Sequence, residues 1–286
     1  MKQLPINKTR FKSLAKIVWK SSITLAIIFA YTSTAIFGQT KQRNHWSDLV
    51  LYGKIKTLKE TYYEVKQDFL DSNGDIQATV FKNSKTYTFN SSGNIIFCSK
   101  YQQNGNLQCK DIYKYDSLGH IFEVGSFNKK EIQINKYTFK CDSSGNILEE
   151  KDFSYSGVLK DKWIHVYDNN GNRIETNHYG FDGKFTKKET LSYNNIGIMI
   201  EGKSYNKNGK NLDSSIYIYD KYNHEIEVVF FEPKGAIYSH IVYKYKNDNN
   251  GNWIERITFN MDLLTSPEKR IGKPINFTRR EIEYFE

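Results

Sequence analysis

Six glutamates recur at one position of a repeating sequence pattern, and paired carboxylates are the groups that hydrolyse glycosidic bonds. They are Glu123, Glu149, Glu175, Glu201, Glu227 and Glu255. A glycosidase needs two acids about 5 to 10 Å apart in different surroundings, so that one donates a proton while the other attacks or activates water. A periodic column supplies the distance but no difference in surroundings. The pattern therefore favours a solvated strand face, with a small glycoside hydrolase as the least favoured interpretation.

Other chemistry-bearing residues lack the spacing that a metal site or a nucleophile requires. The Asp-x-x-Gly-Asn segments resemble parts of calcium loops, but an EF-hand needs further ligands and a terminal glutamate, and calcium β-roll repeats are much shorter. The six histidines show no metal-ligand spacing. Because motifs for a nucleophile elbow or a phosphate-binding loop are also missing, we expect no enzyme, no metal and no cofactor.

The recurring glutamates belong to a repeat that is marked by glycine. Glycines at 93, 119, 145, 171 and 197 are each 26 residues apart, and a second set lies 12 residues further along. Asp or Asn three residues before the first-set glycine is typical of a type I turn followed by a left-handed residue. The predicted structural turns are Asp116, Gly119, Asp142, Gly145, Asp168, Gly171, Gly183, Gly209, Gly235 and Gly251.

Alternating sequence between these turns predicts strands of about seven residues. The fold class is therefore all-β: a repetitive antiparallel meander of about 14–16 strands, built from 26-residue two-strand units and forming one twisted or curled sheet. Residues 53–286 form this domain. Gly53 to Lys66 is predicted as a lead-in strand, and Asn276 to Phe285 as a closing strand whose charges protect an edge.

The formal charge of +9 is concentrated in the first twenty residues, which carry six Lys or Arg and no acid. Beyond residue 38 the balance is 35 cations against 32 acids, so nucleic acid is not an expected partner. An uncharged apolar run from Ser21 to Gly38 follows, and residues 1–38 are predicted to be a signal peptide. An uncleaved anchor is the alternative, and it would be the only membrane contact. Residues 39–52 are interpreted as a connector.

Export would bring three cysteines into an oxidising space, and an odd number leaves at least one thiol unpaired. Cys98 and Cys109 flank the turn at Asn104-Gly105 and are the candidates for a disulfide. A two-residue loop would place them opposite each other, whereas a three-residue loop with a glycine bulge would point them to different faces. The alternative is three buried thiols that behave as small hydrophobic groups.

The stretch "YDNNGNRIE", Tyr167 to Glu175, returns as "YDSLGHIFE", "CDSSGNILE", "YNNIGIMIE" and "YDKYNHEIE". This unit resembles the YD repeat of the Rhs family over roughly residues 54–285, in a short secreted bacterial form of unknown function. In large Rhs proteins, such repeats build a β-sheet shell that encloses cargo or mediates contacts. This chain lacks their long array, their protease-like core and their toxin segment, so the resemblance does not imply encapsulation.

Aromatic residues recur at fixed repeat positions and can stack into ladders across the sheet. They form either the core or a surface for sugar rings or an extended partner. The binding candidates are Tyr179, Tyr205, Trp163 and Trp253, because a hydroxyl or indole group suits a half-exposed position. The sequence thus favours an exported, non-catalytic binding or structural module of the bacterial cell envelope, located in the periplasm, outside the cell or at the outer membrane. An envelope protein or a glycan is the expected partner, and a carbohydrate-binding protein is the alternative.

Overall fold

The computed structural model describes residues 45, 49–65, 79–261 and 272–286, so the predicted signal peptide lies outside the described part. These residues form sixteen antiparallel strands. Their bounds are β1 Ile55–Val65, β2 Thr79–Phe89, β3 Ile95–Tyr101, β4 Leu107–Tyr115, β5 Ile121–Asn128, β6 Gln133–Cys141, β7 Ile147–Ser154, β8 Leu159–Tyr167, β9 Arg173–Gly180, β10 Phe185–Tyr193, β11 Met199–Asn206, β12 Asn211–Tyr219, β13 Glu225–Phe231, β14 Ile237–Asn247, β15 Trp253–Asn260 and β16 Lys273–Tyr284.

The meander closes into a barrel, because β16 pairs with β1. The expectation of a protected edge at Asn276 to Phe285 is therefore wrong. The charges on β16 meet opposite charges on β1 instead: Lys59 Nζ lies 2.8 Å from Glu281, and the Arg280 guanidinium lies 2.9 Å from Glu60. Closure removes both unpaired edges that an open sheet would expose.

Each Asp turn is fixed by its own side chain and by the glycine that follows. At the turn between β8 and β9, Asp168 Oδ1 accepts hydrogen bonds from the amides of Asn170 and Asn172, at 2.9 and 2.8 Å. Gly171 has a φ of 76°, which is unfavourable for residues with a Cβ. The register of each ladder then shifts by one residue beside the turn, and Ile174 is the extra residue in the bulge between β8 and β9.

A tyrosine ties neighbouring Asp turns together where no loop connects them. The hydroxyl of Tyr193 donates to the carbonyl of Arg173 on the neighbouring strand at 2.7 Å. The hydroxyls of Tyr115, Tyr167 and Tyr245 likewise each donate to the carbonyl of the residue twenty positions earlier in the chain. Cys141 takes this place in another repeat, and its S–H donates to the Ile121 carbonyl at an S···O distance of 3.4 Å. The Tyr-Asp pair of the repeat is therefore explained by structural contacts.

The best-packed part of the core lies near the seam between β16, β1 and β2. It contains the fully buried Ile55 and Leu58 together with Phe89. Residues of the segment interpreted as a connector also take part, since Leu51 is buried in this cluster and the Tyr52 amide donates to Asn252 Oδ1 at 2.7 Å. This part of the chain lies against the Asp-turn end of the barrel.

Candidate functional site

The outer wall carries the aromatic column that the sequence singled out. Tyr179 and Tyr205 lie on this wall and are half-buried. The ammonium of Lys162 lies 4.6 Å from the ring centre of Tyr179, and that of Lys188 lies 5.7 Å from the ring centre of Tyr205. Lysines cover Phe97, Phe153 and Phe259 in the same way. Each of these rings therefore has a cation near one face, in a cation–π arrangement.

The two tryptophans proposed as binding residues are not at the surface. Trp163 and Trp253 are only 8% and 7% exposed, respectively. Trp163 stacks on His178 inside the barrel with ring centres 5.1 Å apart, and the guanidinium of Arg280 lies 3.5 Å from the ring centre of Trp253. The expectation of half-exposed positions is wrong for both, because alternation along β8 points Trp163 inward and the seam arginine covers Trp253.

The six recurring glutamates line the outer wall near the Asp turns, and each has a cationic or histidine partner. Glu123 lies 2.7 Å from Lys114 Nζ, Glu175 lies 3.3 Å from Lys188 Nζ, and Glu255 lies 3.1 Å from Arg279. Glu149, Glu201 and Glu227 are partnered by Lys151, Lys203 and His240, respectively. The lysine hydrogen bond holds the pKa of Glu149 below its usual range. This column thus repeats a carboxylate that meets a cation or a histidine, whereas glycoside hydrolysis needs two acids in different surroundings.

Inside the barrel, the seam holds a buried charged cluster. Arg280 donates from Nε and Nη2 to Glu60 Oε1 at 3.0 and 2.9 Å, and the Tyr62 hydroxyl donates to Glu60 Oε2. Burial raises the pKa of Glu60, but the Arg280 charge and the Tyr62 hydrogen bond outweigh it, so the pKa falls below its ordinary value. The cluster joins β1, the first strand, to β16, the last.

Two further interior carboxylates titrate near neutrality. Burial raises the pKa of Glu150 to about 7 against the opposing charge of Arg173, and burial raises that of Glu225 to about 7 against Arg256. Such values occur at catalytic sites and also at structural ones. Glu150 pairs across strands with Trp163 and Glu225 lies beside Tyr219, so the two acids occupy separate positions of the inner face.

The disulfide considered between Cys98 and Cys109 does not form, and both thiols are free. The ladder has a bulge beside the turn and places Cys98 opposite Asp111 and Cys109 opposite Lys100. The expectation that a bulge would point the two cysteines to different faces is wrong, because they share the inward face in neighbouring pairs. Burial raises the pKa of Cys98 to about 12, which keeps this thiol protonated and unreactive. Within the described ranges, no group of three or more His, Cys, Asp or Glu side chains is arranged to hold a metal ion.

The two ends of the barrel differ in charge, a feature that the sequence reasoning missed. In a meander, alternate turns lie at opposite ends. The acidic rim, formed by the Asp turns, carries Asp116, Asp142, Asp168, Asp220 and Asp248 against Lys221. The opposite turns, from β5–β6 to β11–β12, form the basic rim, which carries Lys129, Lys130, Lys184, Lys207 and Lys210 against Glu131 and Asp182.

The basic rim also exposes apolar side chains at its tips. Tyr155 is 80% and Phe181 is 76% exposed, and these residues lie on adjacent turns. Val158 and Ile132 are 62% and 57% exposed. A cleft of about 400 Å³ opens beside Ile132 and is lined by Lys129, Lys130, Asn128 and Gln102. Grouping the lysines by turn set would have revealed this polarity in the sequence.

The class defined by these strands is a closed, sixteen-stranded antiparallel β-barrel. No protein family and no curated protein matches the chain. Among solved structures, a porin-like protein from Bacteroides uniformis has a TM-score of 0.54 at 11% identity, over 80% of this chain and 96% of that one. A porin-like protein from Bacteroides vulgatus gives a TM-score of 0.43 at 10% identity, over 81% of this chain and 99% of that one.

A chain of the Photorhabdus luminescens Tc holotoxin pore gives a TM-score of 0.26 at 12% identity, over 69% of this chain and 12% of that chain. This likeness is too weak to carry an argument, so membership in the YD-repeat family stays a prediction. The similarity to the Bacteroides uniformis protein shows the fold alone. In the described ranges, no helix has the length and apolar character needed to cross a membrane.

Proposed function

We propose that this protein is an exported, non-catalytic repeat barrel that acts as a binding or structural module of the bacterial cell envelope. The basic and apolar N-terminal sequence supports export. An enzyme site requires chemically distinct groups, whereas the outer wall repeats one set of side chains. The proposal is therefore based on surface recognition or assembly.

The observation that carries the proposal is the repetition of one glutamate, one lysine and one aromatic residue along the outer wall. Examples are Glu175 with Lys188 at 3.3 Å, and Lys162 over Tyr179 at 4.6 Å. Each two-strand unit advances this set by about 10 Å, because neighbouring strands are about 4.8 Å apart. A regularly spaced surface suits an extended or repeating partner, since each unit can make the same contact.

Carbohydrate binding is the second candidate, and the placement of Tyr179 and Tyr205 favours it. Both residues lie on the outer wall at the same repeat position, on β9 and β11. Aromatic faces stack on sugar rings, and the lysines at 4.6 and 5.7 Å from their ring centres would add attraction for an acidic glycan.

Fractionation of a bacterium that expresses the full chain tests the export part of the proposal. We expect the protein in the periplasm, at the outer membrane or in the medium. Mass spectrometry of its N-terminus then distinguishes cleavage near Gly38 from a retained anchor. Recovery in the cytoplasm with an intact N-terminus would contradict the proposal.

Binding is tested with the exported protein against envelope extract and a panel of polysaccharides. The Tyr179→Ala/Tyr205→Ala variant should lose a glycan that the outer wall binds, whereas Tyr155→Ala, a tyrosine change at a turn, should retain it. Turnover on a glycoside panel that a single Glu→Gln change in the outer column abolishes would overturn the non-catalytic assignment.

A further inference from the structure

The basic rim combines a positive charge, exposed lysines without ion pairs and exposed apolar side chains. Five lysines and two acids give it a formal charge of +3, and these residues lie on three of the four turns from β5–β6 to β11–β12, at one end of the barrel. Lys129, Lys130, Lys207 and Lys210 are exposed. In the described part of the chain, no ion pair neutralises these four lysines, whereas Lys184 pairs with Asp182 at 2.9 Å.

The apolar tips lie among these charges. Tyr155 and Phe181, at 80% and 76% exposure, are adjacent-turn residues with nearly their whole rings in solvent. Exposing two aromatic rings to water at loop tips is unfavourable unless a partner covers them. Aromatic rings beside lysines are the combination that enters the interface of a membrane, where the ring lies among headgroups and the ammonium binds phosphate.

We propose that the basic rim docks on the surface of an anionic phospholipid bilayer. Lysines of the rim bind lipid phosphates, and Tyr155 and Phe181 enter the headgroup region. The cleft of about 400 Å³ beside Lys129 and Lys130 accepts one headgroup. This inference rests on the proposed envelope function and adds a membrane contact besides the N-terminal segment.

The rest of the surface supports contact by this end of the barrel. The opposite rim carries Asp116, Asp142 and Asp168, which anionic lipids repel. The outer wall carries ion pairs such as Lys114 with Glu123 at 2.7 Å, whereas a barrel wall in lipid presents an apolar band. The basic rim is therefore the end that an anionic surface attracts.

The test places one fluorophore on each rim of the full-length chain. Phe181→Cys carries an environment-sensitive fluorophore on the basic rim. Leu118→Cys carries the same fluorophore on the acidic rim. Leu118 is matched to Phe181 because it is also an exposed turn residue, at 64% exposure. In both chains, Cys98, Cys109 and Cys141 are replaced by Ala, and circular dichroism checks the fold. The apolar N-terminal segment is common to both chains, so the difference between the two labels reports the docking end.

On vesicles that contain phosphatidylglycerol, we expect a blue shift of the label at position 181 and none at position 118. On phosphatidylcholine vesicles, neither label should shift. Lys129→Gln/Lys130→Gln should weaken the response about 30-fold, since each lysine near an anionic surface contributes about a fivefold factor. Lys114→Gln/Lys140→Gln, on the wall near the acidic rim, should change it by less than about fivefold.

A label at position 181 that stays in water on phosphatidylglycerol vesicles would overturn the inference, as would equal shifts at both rims or on both lipids. If the protein still fractionates with the envelope in that case, the docking surface is wrong and the proposed envelope function stands. Recovery in the cytoplasm would instead remove the proposed function.

Discussion

Replacing Arg280 by Met should destabilise the barrel strongly, because this residue neutralises a buried carboxylate at the seam. The Arg280 and Glu60 side chains are 5% and 11% exposed, and two N–H groups donate to one carboxylate oxygen at 2.9 and 3.0 Å. Breaking one partner of a buried pair costs about 3–5 kcal/mol. Loss of the cation over Trp253, 3.5 Å from its ring centre, adds to this cost. Glu60 keeps the Tyr62 hydrogen bond, so we expect the lower end, about 3 kcal/mol.

The assay is urea unfolding of the exported protein, followed by far-ultraviolet circular dichroism. The matched control is Lys59→Met, which breaks the ion pair with Glu281 on the same two strands. Because those side chains are 43% and 61% exposed, the control should cost less than about 1 kcal/mol. Glu60→Leu/Arg280→Met removes both buried charges and should regain at least half of the loss. The reasoning is refuted if Arg280→Met and Lys59→Met have equal effects.

Three other changes test the interior acids, the turns and the tyrosine contacts. Burial raises the pKa of Glu150 to about 7, so the stability that its protonated form contributes is present below pH ~4.5 and disappears as pH rises through 7. Glu150→Gln should therefore raise the free energy of unfolding at pH 8 by about 3 kcal/mol and flatten this pH dependence. Gly171→Ala, at a φ of 76°, should lower the stability to thermal unfolding by about 1 kcal/mol. Gly180→Ala is the control and should cost less, because Gly180 lies on a strand and the atom nearest to an added Cβ would be 3.6 Å away. Tyr193→Phe removes a 2.7 Å hydrogen bond and should cost about 1 kcal/mol, while Tyr155→Phe, at 80% exposure, should leave the urea midpoint unchanged. Equal effects within either matched pair, or an unchanged pH dependence in Glu150→Gln, would contradict these assignments.

The strand and turn pattern could be predicted from sequence because its signals are local. Asp168 and Gly171 specify a turn through their own side chain and backbone, without help from distant residues. The face that a residue occupies depends on the bulge beside each turn. The extra residue Ile174 is 37% exposed.

Closure of the sheet and the burial of Trp253 depend on contacts between residues far apart in sequence. The seam pairs Glu60 with Arg280, which are separated by 220 positions. The charges of Asn276 to Phe285 suit a protected edge and a paired strand equally well, and only the opposite charges on β1 distinguish the two. Sequence reasoning on each strand alone could not make that comparison.

The separation into inner face, outer wall and two rims depends on the closed sheet, and a cross-link across the seam tests it most directly. Lys59 and Glu281 are register partners on the outer wall. In a chain with Cys98, Cys109 and Cys141 replaced by Ala, we expect Lys59→Cys/Glu281→Cys to form a disulfide under mild oxidation, detected as a faster-migrating band without reductant. Lys59→Cys/Glu227→Cys, with the second cysteine on β13 four strands away, should not form one. In an open meander, β1 and β16 would be about 70 Å apart. No disulfide between positions 59 and 281 in the folded protein would contradict the closed barrel.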